Sequence, residues 1–123
     1  MVHEAGAAPC PLHEDEAIAQ AHKRLTRGHI HAMGLGLIAI AVSLILAFLN
    51  APNGIKAAAA ACVGVGGLFY PMSWIIMGVR TVNLGLETAE RSVLPIVALS
   101  VALVLIGIIL TLAYLIKGLL KAE

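Results

Sequence analysis

The sequence has little charge and few aromatic residues. Of its 123 residues, 12% are charged and 4% are aromatic, whereas 60% are hydrophobic. A soluble domain has about half of its residues apolar and about a quarter charged. The chain is therefore too apolar for a water-exposed surface, and we expect lipid around it. With a net charge of +1 and scarce aromatic side chains, the sequence excludes nucleic acid as an expected partner.

Cysteine is also scarce, and the two cysteines lie in different surroundings. Cys10 belongs to a polar N-terminal stretch and Cys62 lies within an apolar run, so a disulfide between them is not expected and the redox compartment cannot be inferred. The N-terminal stretch is acidic and lacks the basic region of a secretory signal peptide. We therefore expect the first apolar run to be a permanent membrane span.

Three long apolar stretches make up most of the chain, at residues 29–49, 57–79 and 93–116. Each exceeds the roughly 20 residues that a helix needs to cross about 30 Å of hydrocarbon. Lipid offers no hydrogen-bond partners to the backbone, so such segments form helices. The sequence predicts an all-α integral membrane protein with three transmembrane helices.

The residues before the first span form two regions. Residues 1–12 are expected to be a flexible tail, and residues 13–28 an amphipathic helix at the membrane interface, since acidic residues precede a narrow apolar stripe and basic residues follow it. A solvated helix without membrane contact is the alternative. Residues 29–123 are then a three-helix transmembrane bundle. The stripe consists of Ala17, Ile18, Ala21 and Leu25.

Lysine and arginine residues favour one orientation. Five lie on the N-terminal side of the spans and three on the opposite side, which predicts a cytoplasmic N-terminus and a C-terminus across the membrane. We expect a prokaryotic-type inner membrane. The five are Lys23, Arg24, Arg27, Arg80 and Arg91, and the three are Lys56, Lys117 and Lys121.

Histidine and methionine gather near one membrane surface. His29, His31 and Met33 open the first span, whereas Met72 and Met77 lie in the last turns of the second. In an antiparallel helix pair these turns share one leaflet, on the N-terminal side. Imidazole and thioether groups suit haem iron or copper. We therefore take these five residues as candidate cofactor ligands, with His29 and His31 as the metal ligands.

Helical spacing limits how a cofactor could be held. Two residues turn a helix through about 200°, so His29 and His31 point in nearly opposite directions, whereas His29 and Met33 share a face. All five histidines lie in the first 31 residues, which excludes a bis-histidine haem between two helices of one monomer. The remaining possibilities are haem b with Met72 or Met77 as second ligand, five-coordinate haem, haem shared between subunits, copper(I), or no cofactor.

The stretch HIHAMGLG, with His29, His31 and Gly36, resembles the H-x-H-x-x-x-x-G opening of membrane helices in haem–copper-oxidase-like and nitric-oxide-responsive haem membrane proteins. In that family a histidine near the start of an early helix ligates haem, so the resemblance implies this role for His29 or His31. It covers about ten residues. Further ligands in the family come from later helices, where this chain has no histidine.

These observations give one leading function and two alternatives. The leading expectation is a small accessory subunit of a membrane redox complex that binds haem or copper near the N-terminal-side leaflet and has no catalytic activity of its own. Expected partners are the lipid bilayer and other membrane subunits or further copies of the chain. The alternatives are a cofactor-free scaffold or assembly protein, whose small residues serve helix packing, and a homo-oligomeric channel or small-solute transporter.

Overall fold

The computed structural model describes residues 11–123, and side chains from residue 14 onward, as three successive α-helices. They are α1 (Pro11–Phe48), α2 (Asn53–Leu84) and α3 (Leu86–Ala122), and residues 11–123 contain no strand. Their 38, 32 and 37 residues correspond to about 57, 48 and 55 Å. Each is long and apolar enough to cross a membrane. The three helices confirm the prediction of three spanning segments and indicate an integral membrane protein.

Helix α2 lies between the other two. Both α1 and α3 pack along it, and they have little contact with each other. A short turn joins α1 to α2, whereas Gly85 alone joins α2 to α3, with a φ of 81° that glycine adopts without steric cost. The start of α1, the end of α2 and the start of α3 therefore meet at one end of the bundle, called here the N-terminal end. The opposite end is the C-terminal end.

Helix α1 continues through the boundary expected at residue 28. The segment 13–28 is the first part of this helix, not a separate one. The physical reason is a single buried seam with three- and four-residue spacing, which begins at Ala21 and runs into the apolar span. Its most buried members are Ala21, Arg24, Gly28, Val42 and Leu46. Most of the tail expected at residues 1–12 falls outside the described residues, and α1 already begins at Pro11.

The C-terminal half of the bundle has an apolar core. Val42 and Leu46 of α1 pack with Ala59 and Val63 of α2, and Val63 in turn contacts Gly107 of α3. The α2–α3 contact is closest where glycine removes the side chain: a Cβ atom added to Gly66 would lie 2.6 Å from the backbone oxygen of Ser100. Small residues thus let these two helix backbones approach, which favours helix association in lipid.

Candidate functional site

A buried arginine joins all three helices at the N-terminal end. Arg24 of α1 is 7% exposed. Its Nη1 donates hydrogen bonds to Thr81 Oγ1 of α2 at 2.9 Å and to the Leu86 carbonyl oxygen of α3 at 3.3 Å, and its Nη2 lies 3.4 Å from Glu90 Oε2. An unpartnered buried charge is costly. These acceptors, supplied by α2 and α3, therefore make the buried position of Arg24 tolerable.

Thr81 is the link between Arg24 and α2. Its hydroxyl donates to the Met77 carbonyl oxygen one turn earlier at 2.7 Å while accepting the hydrogen bond from Arg24. The bond to the helix backbone fixes the orientation of the hydroxyl, which leaves a lone pair directed at the guanidinium. Thr81 is 2% exposed, so water does not compete for this bond.

Aromatic and cationic side chains pack beside this network. The Trp74 ring of α2 stacks against His31 of α1, with a centroid distance of 5.9 Å and an interplanar angle of 13°. The Arg27 guanidinium lies 5.5 Å from the centroid of the Trp74 ring, within the range of a cation–π interaction. Tyr70 approaches His31 edge-on at 5.0 Å. We refer to Arg24, Arg27, His31, Tyr70 and Trp74 as the cation–aromatic cluster.

Two local features set the geometry of this cluster. His31 Nδ1 donates to the Arg27 carbonyl oxygen at 2.7 Å, which holds the imidazole against its own helix and next to the indole. Gly28 lies on the same face, where an added Cβ would be 3.1 Å from the Pro71 backbone oxygen, so α1 and α2 approach closely here. The indole Nε1 of Trp74 is buried and has no hydrogen-bond partner in the part of the chain that the structure describes.

The five candidate ligands do not converge in one place. His31 lies in the α1–α2 interface, as described above. His29 and Met33 share the opposite, outward face of α1, where Met33 is 61% exposed, and Met72 is 44% exposed on α2. Met77 is buried at 5% and packs with Ala89 and Val93. The opposed directions of His29 and His31 follow the helical spacing.

The residues of the arginine network are not among those that the sequence singles out. The sequence predicts Arg24 only as one of the basic residues on the N-terminal side of the spans, and it gives no role to Thr81 or Glu90. A signal for Arg24 does exist, because it lies three residues after Ala21 and four before Gly28, at the spacing of a buried helix face. No comparable pattern marks Thr81 or Glu90 as its partners.

Among residues 14–123 the structure shows no group of three histidine, cysteine, aspartate or glutamate side chains close enough to hold a metal ion. Comparisons of the chain with protein-family models, with curated proteins and with solved structures found no match in any of the three.

Proposed function

We propose that this chain is a small, non-catalytic subunit of a membrane redox complex, and that a groove on its outer surface receives a helix of another subunit. The groove lies between α1 and α2 and has a volume of about 250 Å³. It is lined largely by small residues, among them Ala32, Gly36, Ala39, Gly64 and Gly67. This groove is the observation that carries the proposal.

Small residues at a helix surface let another backbone approach closely, and close packing drives helix association in lipid. A Cβ atom added to Gly36 or to Gly64 would meet no other atom within 4 Å. The space above these glycines is therefore not used by the fold of the chain itself. Other parts of α1 and α3 expose large apolar side chains, which fit acyl chains, whereas this groove fits a helix.

Size measurement in mild detergent tests this proposal. We expect the chain, solubilised from the membrane of its own host, to elute as a complex whose mass exceeds that of the monomer. Gly36→Leu fills the groove without touching the monomer core and should release the chain as a monomer. Gly118→Leu is the matched control, since Gly118 is also open on its outer side, and should leave the complex intact. A monomeric wild type, or a Gly36→Leu variant that stays assembled, contradicts the proposal.

The redox part of the proposal is supported by the exposed face of α1. His29 and Met33 lie one turn apart on this face and are both exposed, so their imidazole and thioether groups can reach a haem or a copper ion held between subunits. A purified complex with a Soret band that is lost in His29→Ala would support haem ligation. A band that survives His29→Ala combined with His31→Ala would reject both histidines as ligands. A colourless, metal-free complex favours the cofactor-free scaffold.

The proposal includes a placement in the membrane. We infer that the N-terminal end of the bundle faces the cytoplasm of a prokaryotic-type cell, because five lysine and arginine residues lie there against three at the other end. The segment 13–28 then crosses the headgroup region as an extension of α1. In a Cys62→Ala background, an impermeant maleimide should label Cys10 only in lysed cells. Labelling in intact cells would show that the N-terminus faces the opposite side of the membrane.

A further inference from the structure

We propose that the cleft between α1 and α3 at the N-terminal end, called here the basic cleft, binds the headgroup and upper acyl chain of an anionic phospholipid. The cleft has a volume of about 260 Å³. Its lining includes Gln20, Lys23 and Arg27 of α1, Trp74 of α2, and Leu94 and Val97 of α3. The inference does not depend on the proposed subunit role.

The charges of the basic cleft favour an anion. Lys23 and Arg27 are one turn apart on α1, and both are exposed and line the cleft together with the buried Arg24. The single carboxylate in the lining is that of Glu90, which lies against Arg24. Three cations therefore face one carboxylate. Glu16 is seven residues before Lys23, about 10 Å along the helix, so salt at 0.1 M, with a screening length of about 10 Å, weakens its influence.

The apolar wall distinguishes a lipid from a free anion. Leu94 and Val97 lie one and two turns beyond Glu90 along α3, towards the middle of the bundle. Beyond Glu90, the α3 side of the cleft is therefore apolar in the direction in which a phospholipid changes from headgroup to acyl chain. Basic pockets between transmembrane helices bind anionic lipid headgroups in this way. Inorganic phosphate would use the cations and leave the apolar wall uncovered.

Tryptophan fluorescence gives a direct test, because Trp74 lines the cleft and is the one tryptophan in the sequence. The purified full chain is reconstituted in phosphatidylcholine vesicles that contain a small fraction of brominated lipid, either phosphatidylglycerol or phosphatidylcholine. Bromine on the upper acyl chain quenches the fluorescence of a neighbouring indole. We expect brominated phosphatidylglycerol to quench Trp74 at a lower mole fraction than brominated phosphatidylcholine. Equal quenching by both lipids overturns the proposal.

Charge variants connect the preference to the basic cleft. Lys23→Gln with Arg27→Gln removes two cations from exposed positions and should weaken the phosphatidylglycerol preference about thirtyfold, since each cation near a membrane surface contributes about a factor of five. Lys23→Gln alone leaves Arg27 over the indole of Trp74 and should weaken the phosphatidylglycerol preference about fivefold. Lys117→Gln with Lys121→Gln removes the same charge from the other end of the bundle and should change nothing. A preference that survives in the Lys23 and Arg27 variants, with helical content unchanged by circular dichroism, refutes the site.

The source of the phosphate group is tested in the same vesicles. Sodium phosphate is compared with sodium chloride at equal ionic strength, as a competitor of brominated phosphatidylglycerol. We expect the two salts to restore Trp74 fluorescence equally, because the headgroup is bound together with its acyl chain. Stronger recovery in phosphate would show that the cleft binds the free anion and would overturn the assignment to a lipid.

Discussion

The two ends of the bundle are held together by different interactions. At the N-terminal end, Arg24 reaches from α1 to Thr81 of α2 and to the start of α3 through hydrogen bonds. Towards the C-terminal end, the helices meet through aliphatic side chains and through close backbone contact at Gly66 and Gly107. A hydrogen bond requires a particular partner in a particular direction, whereas close packing requires only surfaces of complementary shape. Apolar side chains and close glycine contacts occur at both ends, so the feature that distinguishes the N-terminal end is the polar network that links all three helices.

The largest loss of stability is expected from adding a side chain at Gly66, where α2 and α3 are in close contact. Gly66→Ala places a methyl group 2.6 Å from the Ser100 carbonyl oxygen, so α2 and α3 must separate along the contact. We expect a loss of about 3 kcal/mol in the free energy of unfolding, at the upper end of typical overpacking effects. Denaturation by sodium dodecyl sulfate in mixed micelles, followed by the fluorescence of Trp74, measures this loss.

Gly64→Ala is the matched control for Gly66→Ala. Gly64 is two residues away on the same helix, and an added Cβ there meets nothing within 4 Å. This variant should unfold at the wild-type detergent fraction or slightly above it, because alanine favours helix more than glycine does. If both variants lose the same stability, the close contact at Gly66 is not what holds α2 to α3.

The sequence predicted the helices but not which glycines pack them. The apolar stretch at residues 29–49 corresponds to the C-terminal half of α1, and those at 57–79 and 93–116 to the central parts of α2 and α3, because hydrocarbon thickness and backbone hydrogen bonding determine them locally. Gly64 and Gly66 are both small residues in the same apolar run. Only the rotation of α2 about its axis decides that Gly66 faces α3, and this rotation depends on all three helices together.

A smaller loss of stability is expected from removing the Thr81 hydroxyl, which accepts a hydrogen bond from Arg24. Thr81→Val keeps the shape of the side chain but leaves one guanidinium N–H without Thr81 Oγ1, its nearest acceptor at 2.9 Å. Hydrogen bonds to charged groups contribute about 1.5–3 kcal/mol, so we expect a loss of about 2 kcal/mol. The same detergent titration checks it, and Thr81→Ser, which restores the hydroxyl, should recover most of the loss.

Thr111→Val provides the matched comparison at the other end of the bundle. Thr111 is as buried as Thr81, at 2% exposure, and its hydroxyl also donates to the carbonyl oxygen one turn earlier, that of Gly107. It receives no hydrogen bond from a cation among the described residues. We expect Thr111→Val to lower the free energy of unfolding by only a few tenths of a kcal/mol, since valine preserves the packing. Equal losses at Thr81 and Thr111 would mean that the bond to Arg24 contributes nothing.

The site was less predictable than the fold for a related reason. His29, His31, Met33, Met72 and Met77 were selected because imidazole and thioether groups are recognisable by type, and their common end of the bundle follows from antiparallel helices. Contacts such as Arg24 with Thr81, or Arg27 with Trp74, join residues 57 and 47 positions apart. A pairing at that separation depends on helix rotation and relative shift, for which one sequence contains no direct signal.

The smallest effect is expected from the ion pair that completes the arginine network. Glu90 is 61% exposed and its Oε2 lies 3.4 Å from Arg24 Nη2, so water screens the pair. Glu90→Gln should lower the free energy of unfolding by a few tenths of a kcal/mol. The difference from wild type should shrink as sodium chloride is raised from 0.1 to 1 M, because the screening length falls from about 10 Å to about 3 Å.

Glu87→Gln breaks the pair of Glu87 with Arg91, in which both side chains are exposed at 78% and 77%, and should have no measurable effect at either salt concentration. A Glu90→Gln loss as large as that of Thr81→Val would instead show that the carboxylate, and not the hydroxyl, holds Arg24 in its buried position at the N-terminal end.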